Sequence, residues 1–216
     1  MTDAHCHIGN GETRHLLCEP FGGERGEGDR VFYGTHPWFL ESFDPDRLRA
    51  RLGADASAGV GEIGLDRLRD REISPRMREV FAAQLEIAAE FHRPVVLHGA
   101  KCWGEVVRAC QPHCGKIPAF LFHGFSRSGG LIPDIVALNG FISVGPALLN
   151  DHAVNYRELV RAIPSDRLLV ESDRTPENAA ETPSVVEIAR KLADLLGMSE
   201  RDGVARFESN LAQFLK

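Results

Sequence analysis

Short apolar runs alternate with longer charged segments along almost the whole chain. The runs fall at 4–8, 31–33, 58–60, 94–97, 119–122, 141–144 and 168–170. Continuous apolar runs of this length suit strands buried on both faces, as in a parallel sheet. Between them the apolar positions follow a helical period. The clearest helix covers 74–91, with Ser74 placed to cap it, Pro75 in its first turn, and Met77, Val80, Phe81, Leu85, Ile87 and Ala88 on its apolar face. Further helices are predicted over 44–52, 103–110, 130–138, 151–163, 183–196 and 199–215. This alternation predicts an α/β fold. Seven or eight strands in one domain favour a TIM-type (β/α) barrel over an open sheet.

One region breaks the pattern. Between the first run and Val31 no helical stretch is long enough for a normal crossover. A short second strand near 15–18 would follow directly, and the glycine-rich, charged stretch 22–29 reads as a surface loop. The barrel is therefore expected to be abbreviated in its first β/α unit. No repeat or linker divides the chain, so residues 1–216 are expected to form a single barrel.

Composition excludes a few classes. The five cysteines, Cys6, Cys18, Cys102, Cys110 and Cys114, form no CxxC pair, which argues against a disulfide framework or a structural zinc knot. The net charge of −6 weighs against a broad basic surface for long nucleic acid. It leaves open a phosphate-bearing substrate held by metal ions, which carry positive charge themselves. No apolar stretch approaches the roughly 20 residues a membrane span needs, and the first residues do not read as a signal peptide. A cytoplasmic protein without membrane contact is expected, with a monomer favoured.

The chemistry is concentrated at strand ends. In Asp3-Ala4-His5-Cys6-His7, residues two apart point to one face of a strand, so His5 and His7 would project together, with Asp3 placed to orient one of them. Glu62, His98, His123 and Asp173 each sit at or just past the C-terminal end of a predicted strand. That end is where barrel enzymes build their active sites. Four imidazoles with two carboxylates exceed what one tetrahedral ion needs. One bridging carboxylate could hold two ions roughly 3.5–4 Å apart, as in two-metal hydrolases.

These motifs resemble the TatD-type family of metal-dependent deoxyribonucleases, within the amidohydrolase superfamily of barrels. The matching stretches are Asp3-Ala4-His5-Cys6-His7, Gly34-Thr35-His36-Pro37-Trp38 and Gly59-Val60-Gly61-Glu62-Ile63-Gly64-Leu65-Asp66. They continue with Pro94-Val95-Val96-Leu97-His98, Phe122-His123-Gly124-Phe125-Ser126 and Leu169-Val170-Glu171-Ser172-Asp173. The resemblance implies that His5, His7 and Asp173 hold one ion, that His98 and His123 hold a second, and that Glu62 bridges the two. It implies Asp173 as the proton-shuttling base, His36 facing the substrate or backing the ligands rather than binding a metal, and two divalent ions (Mg, Mn or Zn). The implied substrate is DNA, or another nucleotide-containing phosphodiester, cut from the 3′ end. The insert between the first two motifs is about half the family's usual length.

Outside the motifs, Lys101 and Arg127 are candidates to grip phosphate, and Trp38 could stack on a base. Trp103 is expected to pack, and Glu171 to support the site from below. His15, His92, His113 and His152 lack partners nearby in sequence and are expected to be exposed or to pack. Two alternatives stay open: the same metal chemistry on an ester or amide such as aminoacyl-tRNA, or a barrel that binds without turnover.

Overall fold

The computed structural model describes residues 1–10, 13–18, 26, 29–126 and 129–216. Its strands are β1 (Thr2–Cys6), β2 (Arg14–Cys18), β3 (Arg30–Tyr33), β4 (Gly59–Asp66), β5 (Val95–Ala100), β6 (Phe120–Phe122), β7 (Gly140–Val144) and β8 (Leu168–Val170). They pair in chain order, each pair parallel, as one eight-stranded sheet. The seam between β8 and β1 closes just past the strand ends. There the Asp173 amide donates to the His5 carbonyl (3.1 Å), and the amides of His7 and Ile8 donate to the Arg174 carbonyl (2.8 and 3.2 Å). The result is a nearly closed TIM-type barrel, as the alternation predicts.

Around it lie α1 (Pro45–Ala54), α2 (Pro75–Glu90), α3 (Trp103–Cys110), α4 (Ile132–Ala137), α5 (Val154–Ala162), α6 (Val185–Leu195) and α7 (Glu200–Phe214). Their starts follow capping chemistry. Ser74 accepts from the Met77 amide (3.1 Å), and Asp44 accepts from the amides of Asp46 and Arg47. The predicted apolar face of α2 is the one it buries, against β4. Trp103 packs in the core against Phe122 and Phe125, as expected.

A second apolar cluster, including Leu16, Cys18, Phe32, Val96, Phe141 and Leu169, fills the barrel interior. Helix α7 closes its lower end. Phe214 lies 6.0 Å from the Phe32 ring and 5.9 Å from Phe141, while Asn210 Nδ2 donates to the carbonyls of Ser165 and Leu168 (both 2.8 Å).

The first unit is abbreviated as predicted. Residues 7–13 link β1 to β2 without a crossover helix among those described. A polar cluster holds this region, and it corrects the reading of His15. That residue is buried on β2, its amide donating to Asp29 Oδ1 (2.7 Å) and its ring flanked by Asp29 (3.1 Å), Asn10 Oδ1 (3.0 Å) and Thr13 Oγ1 (3.1 Å). Asn10 and Thr13 lie just before it in the chain, and Asp29 comes from the loop that follows β2. Asp29 is likewise buried rather than part of a surface loop, while 22–25, 27 and 28 lie outside the described residues. His113 is buried, whereas His92 and His152 are exposed.

Candidate metal centre

Two irregularities aim the first donors. In β1, Asp3 pairs with His15 and Cys6 with Leu17, so three steps of β1 face two of β2. In β4, Val60 pairs with Val95 and Ile63 with Leu97, again three against two. An extra residue of this kind bends a strand and re-aims its side chains. It lets Ala4 join the interior cluster while the next residue, His5, faces the mouth, and it brings Glu62 inward. Past the second irregularity Gly64 has φ +154°, and a Cβ there would lie 2.0 Å from the His98 carbonyl oxygen. Only glycine lets β4 and β5 approach so closely at the level of the donors. Asp173 leaves β8 with φ +49°, a left-handed conformation that Asp tolerates better than most residues.

Glu62, 2% exposed, lies at the centre, and its two oxygens divide the imidazoles. Oε2 is 3.2 Å from His7 Nε2 and 3.6 Å from His5 Nε2. Oε1 is 2.7 Å from both His98 Nδ1 and His123 Nε2, and 3.7 Å from His36 Nε2. Asp173 Oδ1 stands 3.4 Å from His5 Nε2 and 3.9 Å from His7 Nε2. Burial alone would raise the Glu62 carboxyl, but His123 and the other imidazoles hold it well below the usual range. In return, though burial works against their charge, His7, His98 and His123 are raised, chiefly through Glu62 and, for His98, Asp66. His5 is lowered by burial and by His123, and His36 falls to about 4 by burial.

The donor set fits a cation. Both nitrogens of His5 are buried without a hydrogen bond, a costly state unless something else accepts the lone pair. The sets His5–His7–Glu62, His5–His123–Asp173 and His36–Glu62–His98 each offer ligand atoms within 4.8 Å of one another. Imidazole with carboxylate is the ligand mix of Zn, Mn and related divalent ions. The far nitrogens of two rings are also held. His123 Nδ1 lies 3.7 Å from Glu171 Oε1 and makes no hydrogen bond, but His7 Nδ1 meets the Cys18 carbonyl (2.9 Å) and His98 Nε2 meets Asp66 Oδ2 (2.9 Å). Such partners fix a ring's tautomer and aim its other nitrogen.

A family model described as TatD related DNase matches residues 24–216. The chain belongs to the TatD-related DNase family. It is 30% identical over 144 residues to the 3′-5′ ssDNA/RNA exonuclease TatD of Klebsiella pneumoniae, a match covering 65% of this chain and 55% of that protein. It is 29% identical over 147 residues to the uncharacterized metal-dependent hydrolase YabD of Bacillus subtilis, covering 65% and 58%. The chain therefore spans a little over half the length of these relatives. In fold it is similar to YjjV, a TatD homologue from Escherichia coli, with TM-score 0.84 and 20% identity over 99% of this chain and 96% of that one.

In this TatD-related chain, His5, His7, Glu62, His98, His123 and Asp173 converge on one point, as the motifs suggested. One reading needs correction. Asp3 does not orient an imidazole; its carboxylate takes the Ser172 amide (2.9 Å) and hydroxyl (2.5 Å) across the closing seam, along with the His5 amide (3.3 Å). His36 lies beside the donor cluster. Its Nδ1 accepts the Trp38 amide (3.2 Å), which turns Nε2 toward Glu62. Lys101 is exposed beside a cavity of about 720 Å³ that reaches His98, His123 and Asp173. Arg127 lies outside the described residues. A second cavity, about 1170 Å³, opens on Asp173 from the other side between Pro146, Val154, Tyr156 and Leu159. Asp66 is the functional candidate that sequence reasoning passed over. It lies four residues past Glu62 on one strand, but the apolar run 58–60 stops too early to show that β4 continues so far.

Proposed function

We propose that residues 1–216 act as one catalytic barrel, a two-metal phosphodiesterase that shortens DNA from its 3′ end. The observation that carries this reading is the division of imidazoles between the two oxygens of Glu62. His5, His7 and Asp173 would hold one divalent ion. His98 and His123 would hold the other, with Glu62 common to both and His36 facing the substrate. When bound, the ions (Mg, Mn or Zn) supply Lewis-acid activation of the phosphoryl group and lower the pKa of water. Asp173, half-exposed at the mouth, takes the proton of the attacking water and returns it to the leaving oxygen. Lys101 and Arg127 neutralise backbone phosphate, and Trp38, 44% exposed at the rim, receives a base. All these groups belong to one chain, so a monomer suffices. Among the described residues no helix is long and apolar enough to cross a membrane, and a cytoplasmic enzyme is the natural setting.

The test uses the purified chain loaded with Mn²⁺ and a 5′-labelled single-stranded oligonucleotide. Stepwise loss from the 3′ end is expected, and it should vanish in Glu62→Ala, which removes the bridge. Release of amino acid from charged tRNA with the DNA left intact would move the activity to ester cleavage. A protein that binds no ion would overturn both.

A further inference from the structure

Asp66 is 1% exposed and receives four N–H groups on two oxygens. Oδ2 accepts from His98 Nε2 (2.9 Å) and from the indole Nε1 of Trp38 (2.9 Å). Oδ1 accepts from the amides of Leu68 (2.6 Å) and Arg69 (3.0 Å), which anchor the carboxylate to its own loop. One oxygen thus lies between a ring that faces Glu62 and a ring that faces solvent. The exposed indole has Arg69 over it at 5.8 Å and the His36 ring edge-on at 4.8 Å, so its pose is fixed on three sides. His98 needs a hydrogen on Nε2 if Nδ1 is to present a lone pair to the centre, because a neutral imidazole has one donor and one acceptor nitrogen.

We infer that Asp66 is a positioning residue that ties the rim indole of Trp38 to the metal-facing imidazole of His98, so that the two rings are set by one carboxylate oxygen. The inference rests on the two-metal reading and deepens it. It makes the surface offered to a base and the strength of ion binding parts of one unit. Two substitutions separate the links. Asp66→Asn supplies one carbonyl oxygen and two new hydrogens where four N–H donors converge, so it cannot satisfy them. Trp38→Phe keeps a ring but deletes the indole N–H, letting water from the rim compete for Oδ2.

The experiment is a double-mutant cycle on Mn²⁺ affinity, measured by calorimetry without substrate on proteins whose melting shows them folded. Asp66→Asn should weaken Mn²⁺ binding by about 10–100-fold. Trp38→Phe, at an exposed position that does not threaten folding, should weaken it by about two- to fivefold, and should have no further effect in the Asp66→Asn background. Equal effects of Trp38→Phe in both backgrounds would mean that the indole acts by packing, and would overturn the coupling. So would unchanged affinity in both single variants. Failure of the wild-type protein to bind Mn²⁺ would instead sink the two-metal reading itself.

Discussion

Asp173 and Glu62 are both carboxylates among imidazoles, yet their surroundings assign them different work. Glu62 is enclosed and held ionised by His123 and its neighbours, which suits a permanent ligand. Asp173 is 48% exposed along its side chain and kept ionised by His5, although burial in the mouth opposes it. It can therefore exchange a proton with water. Asp173→Asn keeps the shape and loses the proposed base, and kcat should fall by about 10²–10⁴-fold; steady-state assays with Mn²⁺ in excess separate this from metal loss. The imidazoles supply a second prediction at this scale. Without an ion, Glu62 raises His7, His98 and His123 above their ordinary value of 6.5, whereas burial lowers His5 and His36. Ion binding displaces the protons that the raised rings carry. Mn²⁺ binding near neutral pH should release protons, and its affinity should rise with pH through the raised imidazole values and then level off. Calorimetry in two buffers of different protonation enthalpy reads this directly; equal heats would count against it.

At the scale of elements, the strands were legible because buried parallel strands are written as unbroken apolar runs, although β4 and β5 continue past those runs to Asp66 and Ala100. His98 and His123 could be read off the chain for that reason. The irregularities in β1 and β4 could not. They depend on register against a neighbour, so nothing in Thr2–Cys6 or Gly59–Asp66 alone signals an extra residue. Asp66 was hidden by the same ignorance of where β4 ends, and the role of Asp3 by a partner far along the chain, Ser172. Where sequence did carry the local demand, it is glycine that shows it. Gly64→Ala would place a methyl group against the His98 carbonyl at a φ that side chains rarely adopt. It should destabilise the fold by about 3 kcal/mol, and His98 should move with the strand. Urea unfolding together with Mn²⁺ titration would show both losses; a stable variant with normal ion binding would contradict the packing described for β4 and β5.

The molecule as a whole separates stability from chemistry along the barrel axis. The donors gather at the C-terminal strand ends, while α7 lies across the opposite end. There Glu208 meets the Thr2 amide (2.5 Å) and Arg14 (3.2 Å), and Phe214 is inserted between Phe32 and Phe141. The interior between the two ends is a stack of apolar side chains, so a cavity at the base need not reach the mouth. Phe214 is fully buried, and its change to Ala removes a ring whose neighbours are held by the sheet and cannot collapse far into the space. A loss of about 3–5 kcal/mol is expected. Metal affinity and kcat, measured well below the lowered melting temperature, should stay within about twofold of the parent, because surface-distant sites without shared partners act nearly independently. The same substitution therefore tests the axial division. A Phe214→Ala protein that stays folded by circular dichroism but loses its ions would show that the lower plug and the metal centre are coupled through the interior stack, and that the barrel behaves as one mechanical body.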